Sequence, residues 1–171
     1  MKKIMTLILG AGLVSVSMSS FAQSLVKIGH VNINEIMTAL PERDSAQVLL
    51  EKETNEIEST YEEMTVIYNK LFDEYQKGLS SYSELVRQTK ESELLDKQKR
   101  LAEFEQNASV TLQNRNAELI KPIYEKIIKA IEKVATEGGF TYILDVSKGS
   151  VVFTSKESQN LDQLVLKILK P

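Results

Sequence analysis

Residues 50–75 read LEKETNEIESTYEEMTVIYNKLFDEY. Within that stretch Leu50, Thr54, Ile57, Tyr61, Met64, Tyr68, Leu71 and Tyr75 stand 4, 3, 4, 3, 4, 3 and 4 residues apart. This is a heptad a/d seam with one polar interruption at Thr54. So narrow a seam buries against a partner helix. The chain supplies one, because Lys77-Gly78-Leu79-Ser80-Ser81-Tyr82-Ser83 is a Gly/Ser-rich break followed by a second helical run to about Glu137. Gly78 can take the left-handed conformation that ends a helix, and Ser81 followed by Glu84 has capping-box spacing. Gly138-Gly139 ends the second run.

The first arm, residues 42–77, is 36 residues long, or roughly 54 Å as a helix. An equal length counted from Ser81 ends near Ala117, just before Pro122. The apolar pattern changes there. Leu94, Leu101 and Ala108 are spaced by seven, Arg115 takes the next position, and Leu112 and Leu119 lie on a shifted frame. That drift is the mark of a stutter. Beyond Pro122, where a kink is expected, Ile123, Tyr124, Ile127, Ile128, Ile131, Val134 and Ala135 form a broad stripe suited to a globular core.

The flanks of this hairpin predict a small body. Leu25-Val26-Lys27-Ile28-Gly29-His30-Val31 reads as a strand, and Asn34 as the cap of a short helix ending before Pro41. Pro41 suits the first turn of the next helix. Phe140-Thr141-Tyr142-Ile143-Leu144-Asp145-Val146 reads as a second strand, Ser147-Lys148-Gly149-Ser150 as a turn, and Val151-Val152-Phe153-Thr154 as the returning third strand. Asn160 is placed to cap a last helix with the stripe Leu161, Leu164, Val165, Ile168 and Leu169. The fold class is therefore α+β and mostly α: a three-stranded body (residues 23–41 and 120–171) bearing an antiparallel coiled-coil hairpin or tentacle (42–119, tip near 78–83). A sheet with open edges and so small a core is stabilised by sharing strands among copies, so a homo-oligomer is expected.

The first 22 residues read as a signal peptide. Met1-Lys2-Lys3 is a positive start, residues 4–14 are uncharged and mostly apolar, and Ser20-Phe21-Ala22 offers small residues to a signal peptidase, with cleavage between Ala22 and Gln23. The chain has no Cys, hence neither a lipid-modified cysteine nor a disulfide framework. Export to a bacterial periplasm is expected. Removing Lys2 and Lys3 takes the net charge from −3 to −5, which argues against nucleic acid as a partner. Residues 42–74 hold ten acidic and three basic residues, whereas 76–100 hold six basic and four acidic. The basic tip is a candidate for weak lipid or lipopolysaccharide contact.

No catalytic arrangement is present in the sequence. His30 is the single histidine and falls in a predicted strand. With no Cys, a soft-metal site is nearly excluded, and no phosphate-binding Gly-rich loop occurs. The chain is read as a non-enzyme with no cofactor or metal.

The order of these features resembles the Skp/OmpH family of periplasmic chaperones for outer-membrane proteins. The resemblance is carried by Ile28-Gly29-His30-Val31-Asn32, the charged hairpin, Leu119-Ile120-Lys121-Pro122-Ile123-Tyr124-Glu125-Lys126-Ile127, Ala130-Ile131-Glu132-Lys133-Val134-Ala135, Gly139-Phe140-Thr141-Tyr142-Ile143-Leu144-Asp145 and Val151-Val152-Phe153. It implies a trimer whose strands form a central barrel-like core, and three tentacles around a cavity. It further implies ATP-independent holding of unfolded outer-membrane β-barrel proteins. Candidate client contacts are Tyr61, Met64, Tyr68, Phe72 and Tyr75. The alternative is a structural or adaptor coiled coil of the cell envelope. The chain departs from the family's best-known members, which are strongly basic, in its acidic first arm.

Overall fold

The computed structural model describes residues 26–170. The signal peptide, with its cleavage point at Ala22 and Gln23, lies outside the described residues. Strand β1 (Ile28–Val31) leads into helix α1 (Ile33–Thr38), then α2 (Pro41–Gly78) and α3 (Glu84–Gly138). Strands β2 (Tyr142–Asp145) and β3 (Gln159–Asn160) and helix α4 (Asp162–Leu169) complete the chain.

Helices α2 and α3 form the expected antiparallel hairpin. Pro41 occupies the first turn of α2, where its missing N–H costs nothing. Glycine ends α3: Gly139 is left-handed at φ 65°, and its N–H and that of Phe140 return to the last turn of the helix. Pro122 does not divide α3, which runs unbroken for 55 residues. The proline faces solvent, where water can satisfy the carbonyl it leaves without a donor.

Caps differ from the expected ones in three places, the first at α4, whose N-cap is Leu161 while Asn160 stands in β3 and accepts from the Asp162 N–H at 2.8 Å. Asn32, not Asn34, caps α1: its Oδ1 accepts from the Glu35 N–H at 3.3 Å while its Nδ2 donates to Glu35 Oε1 at 2.7 Å. At the tip Ser83, not Ser81, caps α3 by accepting from the Val86 N–H at 3.4 Å. Ser81 instead donates its hydroxyl back to the Gly78 carbonyl. Gly78 is not left-handed either. It is the last residue of α2, and a Cβ there would come within 2.1 Å of the Tyr82 ring. Its role is to make room for that ring.

The body sheet is parallel, in the order β2-β1-β3. This corrects the third strand. Val151-Val152-Phe153-Thr154 has strand composition but takes no strand partner among the described residues. The polar pair Gln159–Asn160 pairs with Gly29 and His30 instead. No hairpin joins β2 to a returning strand.

One apolar core lies beside this sheet. It gathers Val31, Ile33, Ile36 and Leu40 from the N-terminal segment, Ala46 of α2, Ile123, Ile127, Ala130 and Val134 of α3, and Leu161, Val165 and Leu169 around α4. The α3 residues recur at i, i+4, i+7 and i+11, one helical face. In α4 the stripe is shifted: Leu166 packs on the core, while Leu164, expected inside, is half exposed at 52 %. Gly29 allows the close approach of this layer, since a Cβ would meet Leu161 Cδ1 at 2.5 Å. Two carboxylates tie the loops to α1: Asp162 accepts from the Asn32 N–H at 2.8 Å, and Asp145 from the N–H groups of Ser147 (2.9 Å) and Ile33 (3.4 Å).

Candidate functional site

The hairpin seam stays half open along most of its length. On α3 its inward positions are Lys90, Leu94, Lys97, Leu101, Phe104, Ala108, Leu112, Arg115 and Leu119, and only Leu94 is fully buried. Their spacing carries two successive fours at Phe104-Ala108-Leu112, the stutter expected from the drifting frame. On α2 Glu53 and Thr54 are both half-buried, and Thr54 satisfies its hydroxyl on the Leu50 carbonyl at 2.8 Å. Facing this point, Arg115 Nε donates to Glu53 Oε1 at 2.8 Å, and its Nη1 to Glu118 Oε2 at 3.3 Å. The arginine that breaks the apolar frame is thus matched by a carboxylate across the seam. Nearer the body Lys126 pairs with Glu42, and that hydrogen bond holds the Glu42 carboxyl below its ordinary range.

Five aromatic or thioether side chains were expected to meet a partner, and the structure separates them. Met64 and Tyr75 belong to the seam. Met64 lies beside Leu101. The Tyr75 hydroxyl donates to Glu91 Oε1 at 2.6 Å, a bond that raises the phenol above its ordinary pKa. Tyr61 and Tyr68 sit on the shoulder of the seam, Tyr61 against Phe104 with ring centroids 6.4 Å apart. Tyr68 stacks on Phe72 at 6.3 Å. Tyr61 is 39 % exposed and Phe72 42 %.

Sequence reasoning missed the frame that these exposed rings share. Glu51, Thr54, Glu58, Tyr61, Thr65, Tyr68 and Phe72 recur at alternating spacings of three and four, so they line one flank of α2 beside the seam. That flank holds no Lys or Arg. Lys70 and Lys77 fall on the opposite flank, with Glu56, Glu63, Ile67 and Glu74, while Lys52 lies at the back of the helix, in the groove that Glu51 also lines, paired with Glu56. On α3 the run Glu91, Leu95, Gln98, Ala102, Glu105 and Ser109 is likewise exposed, regularly spaced and free of cations. The bond from Tyr75 to Glu91 marks the side on which the two stripes meet. The other side of the hairpin carries the cations: Ile67 shares a cleft with Met64, Leu101, Lys97 and Arg100.

The tip and the body each expose apolar side chains. At the tip Leu79, Leu85 and Val86 are exposed near Lys77 and Arg87. A basic residue there is partly engaged, since Arg87 pairs with Glu84. In the body Val152 is 97 % exposed and Phe153 79 %, while Tyr142 and Leu144 of the edge strand β2 are also exposed. His30 lies in the central strand, its Nδ1 2.8 Å from Ser158 Oγ. Among the described residues no group of three or more His, Cys, Asp or Glu is arranged to hold a metal ion, and no helix is long and apolar enough to cross a membrane.

A small sheet-bearing body with a projecting antiparallel helical hairpin defines the architecture of this chain. A solved structure shares it: an OmpH-like protein from Caulobacter crescentus superposes with a TM-score of 0.72 over 85 % of each chain, at 9 % identity. The model of the family described as "Outer membrane protein (OmpH-like)" matches residues 27–169, and the chain belongs to that family. Curated relatives named "Chaperone protein Skp" include one from Photorhabdus laumondii, 27 % identical over 92 % of this chain and 93 % of its own. Another, from Vibrio cholerae, is 29 % identical over 90 % and 89 %.

Proposed function

We propose that this protein is an ATP-independent holdase of the periplasm, without catalytic activity, that receives unfolded outer-membrane β-barrel proteins between its hairpins and keeps them from aggregating. Membership in the OmpH-like family supports the general reading. The observation that carries it on this chain is the half-open hairpin. Tyr61 at the seam's shoulder and Phe72 on the flank beside it remain partly accessible over a long, two-helix surface. Many weak contacts of that kind tolerate many sequences, and a thin seam lets the arms adapt to client size.

A cavity needs several hairpins, so the active form is a closed homo-oligomer, a trimer by the family resemblance. The exposed Val152 and Phe153 and the open β2 edge are the surfaces that assembly would cover, as strands shared between copies. The hairpin tip, with Leu79, Leu85 and Val86 beside Lys77, is the place for a weak contact with lipid or lipopolysaccharide.

The test uses the chain from Gln23 to Pro171. A urea-unfolded outer-membrane β-barrel is diluted into buffer with and without it, in the absence of ATP, and light scattering is followed. Scattering suppressed at a few oligomers per client is the expected outcome. No suppression by a folded, oligomeric sample overturns the holdase and leaves an envelope adaptor, which would instead form a stable complex with one folded partner.

A further inference from the structure

Charge is distributed unequally around the hairpin, and the inequality specifies a client. The flank that carries Tyr61, Tyr68 and Phe72 also carries Glu51 and Glu58, neither of which has an ion-pair partner among the described residues. Of the α2 lysines, Lys70 and Lys77 sit on the other flank, and Lys52 sits at the back of the helix, paired with Glu56. A client lying along the stripe from Glu58 to Phe72 therefore meets π-faces and a free carboxylate but no cation. Rings attract ammonium and guanidinium groups through their quadrupole, and free carboxylates add a long-range attraction. Acidic segments would be repelled at the same positions.

We propose that this aromatic, cation-free flank of α2 is the client-binding face, and that it selects unfolded segments in which Lys or Arg alternates with apolar residues. The inference rests on the holdase reading and adds the partner's chemistry to it. It also fixes which side of each arm faces the client: the Tyr61-Tyr68-Phe72 flank inward, the Lys70-Lys77 flank outward.

The experiment compares two charge-reversal pairs on one helix. Glu51→Lys with Glu58→Lys alters the aromatic flank; Glu63→Lys with Glu74→Lys makes the same change on the opposite flank, again at carboxylates without ion-pair partners. Each full-length oligomer is titrated with two fluorescent unfolded peptides of equal apolar content, one Lys-rich and one Glu-rich, at low and high salt. The wild type should bind the Lys-rich peptide roughly tenfold tighter at low salt, a preference that shrinks as salt screens it. The first double variant should lose or invert the preference, and the second should keep it within about twofold. Equal binding of both peptides by the wild type, or equal effects of the two double variants, would overturn the assignment while leaving the holdase intact. A wild type that binds neither peptide and does not suppress aggregation of an unfolded barrel overturns both. Circular dichroism and sedimentation of each variant establish that fold and assembly are unchanged, and a Tyr61→Ser/Phe72→Ser variant, expected to weaken both peptides, tests the same face without altering charge.

Discussion

Within α3, the stretch from Ile123 to Val134 and the stretch from Lys90 to Leu119 are parts of one uninterrupted helix, yet they are covered very differently. In the first, Ile123, Ile127, Ala130 and Val134 are all buried beneath the N-terminal segment and α4. In the second, nine inward positions face a single partner helix, and Leu94 alone is fully buried. Hydrophobic stabilisation scales with apolar area removed from water, so the two stretches differ in stability per residue although the backbone is continuous. The difference teaches how one helix serves two purposes. Its C-terminal part holds the body together, and its N-terminal part can open locally without unfolding the whole.

The most severe way to test that contrast is to remove a side chain from each stretch. Ile127 is completely buried and touches a closed core. Ile127→Ala should cost about 4 kcal/mol, within the range for large-to-small core changes. Leu94→Ala should cost about 2 kcal/mol, because the thin seam can collapse around the gap. Thermal unfolding should show the larger fall in midpoint for the core variant. Hydrogen exchange should show that Leu94→Ala speeds exchange in the arms and leaves residues 123–134 protected. A Leu94→Ala variant that loosens the body as much as the arms would break the contrast.

A smaller effect is expected from a part-buried carboxylate of the body, Asp145. Burial opposes ionisation of Asp145, but hydrogen bonds from Ser147 and from the Ile33 N–H outweigh it and hold its pKa below the ordinary carboxylate value. A depressed folded-state pKa means that protonation favours the unfolded chain. The contribution is full above the unfolded value, about 3.9, and is lost as pH falls through the lower folded value. Asp145→Asn should lower stability at neutral pH and flatten the acid limb below about pH 4. Urea unfolding across pH measures both. An unchanged acid limb would place the body's acid sensitivity on other carboxylates.

The helical parts of this fold were legible because helix formation reports locally. The seam, the tip, the stutter at Arg115 and the broadening after Pro122 are all periodicities within one segment. The third strand was not legible. Val151-Val152-Phe153-Thr154 carries every compositional mark of a strand, yet strand pairing is non-local and depends on an edge being free within reach. Gln159–Asn160 takes the place beside β1 with no β-branched residue at all. At the candidate site, counting one frame grouped Tyr61, Met64, Tyr68, Phe72 and Tyr75 as equivalents. Tyr61 and Tyr68 belong to two frames at once, the seam and the neighbouring stripe that includes Glu58 and Phe72. A second count from Glu51 would have found that stripe. The absence of lysine from it was readable from the start.

The mildest test lies at the far end of the arms, where the contrast between body and hairpin is greatest. The tip is held by a few contacts: the Tyr82 hydroxyl donates to the Glu74 carbonyl at 3.3 Å, its ring lies 6.4 Å from that of Tyr75, and Ser83 caps α3. Gly78→Ala would improve helix propensity by about 1 kcal/mol, but the new Cβ would fall 2.1 Å from the Tyr82 ring. That ring is a side-chain end that can swing into solvent, so the two effects should nearly cancel. The midpoint of thermal unfolding should stay within about 2 °C. Exchange should quicken only around residues 75–86, where the Tyr82 bond and ring contact are lost. If instead the variant lowered the midpoint as much as Leu94→Ala does, the tip would be a clasp that holds both arms together. The hairpin would then have to be regarded as a second cooperative unit, not as a compliant extension of the body.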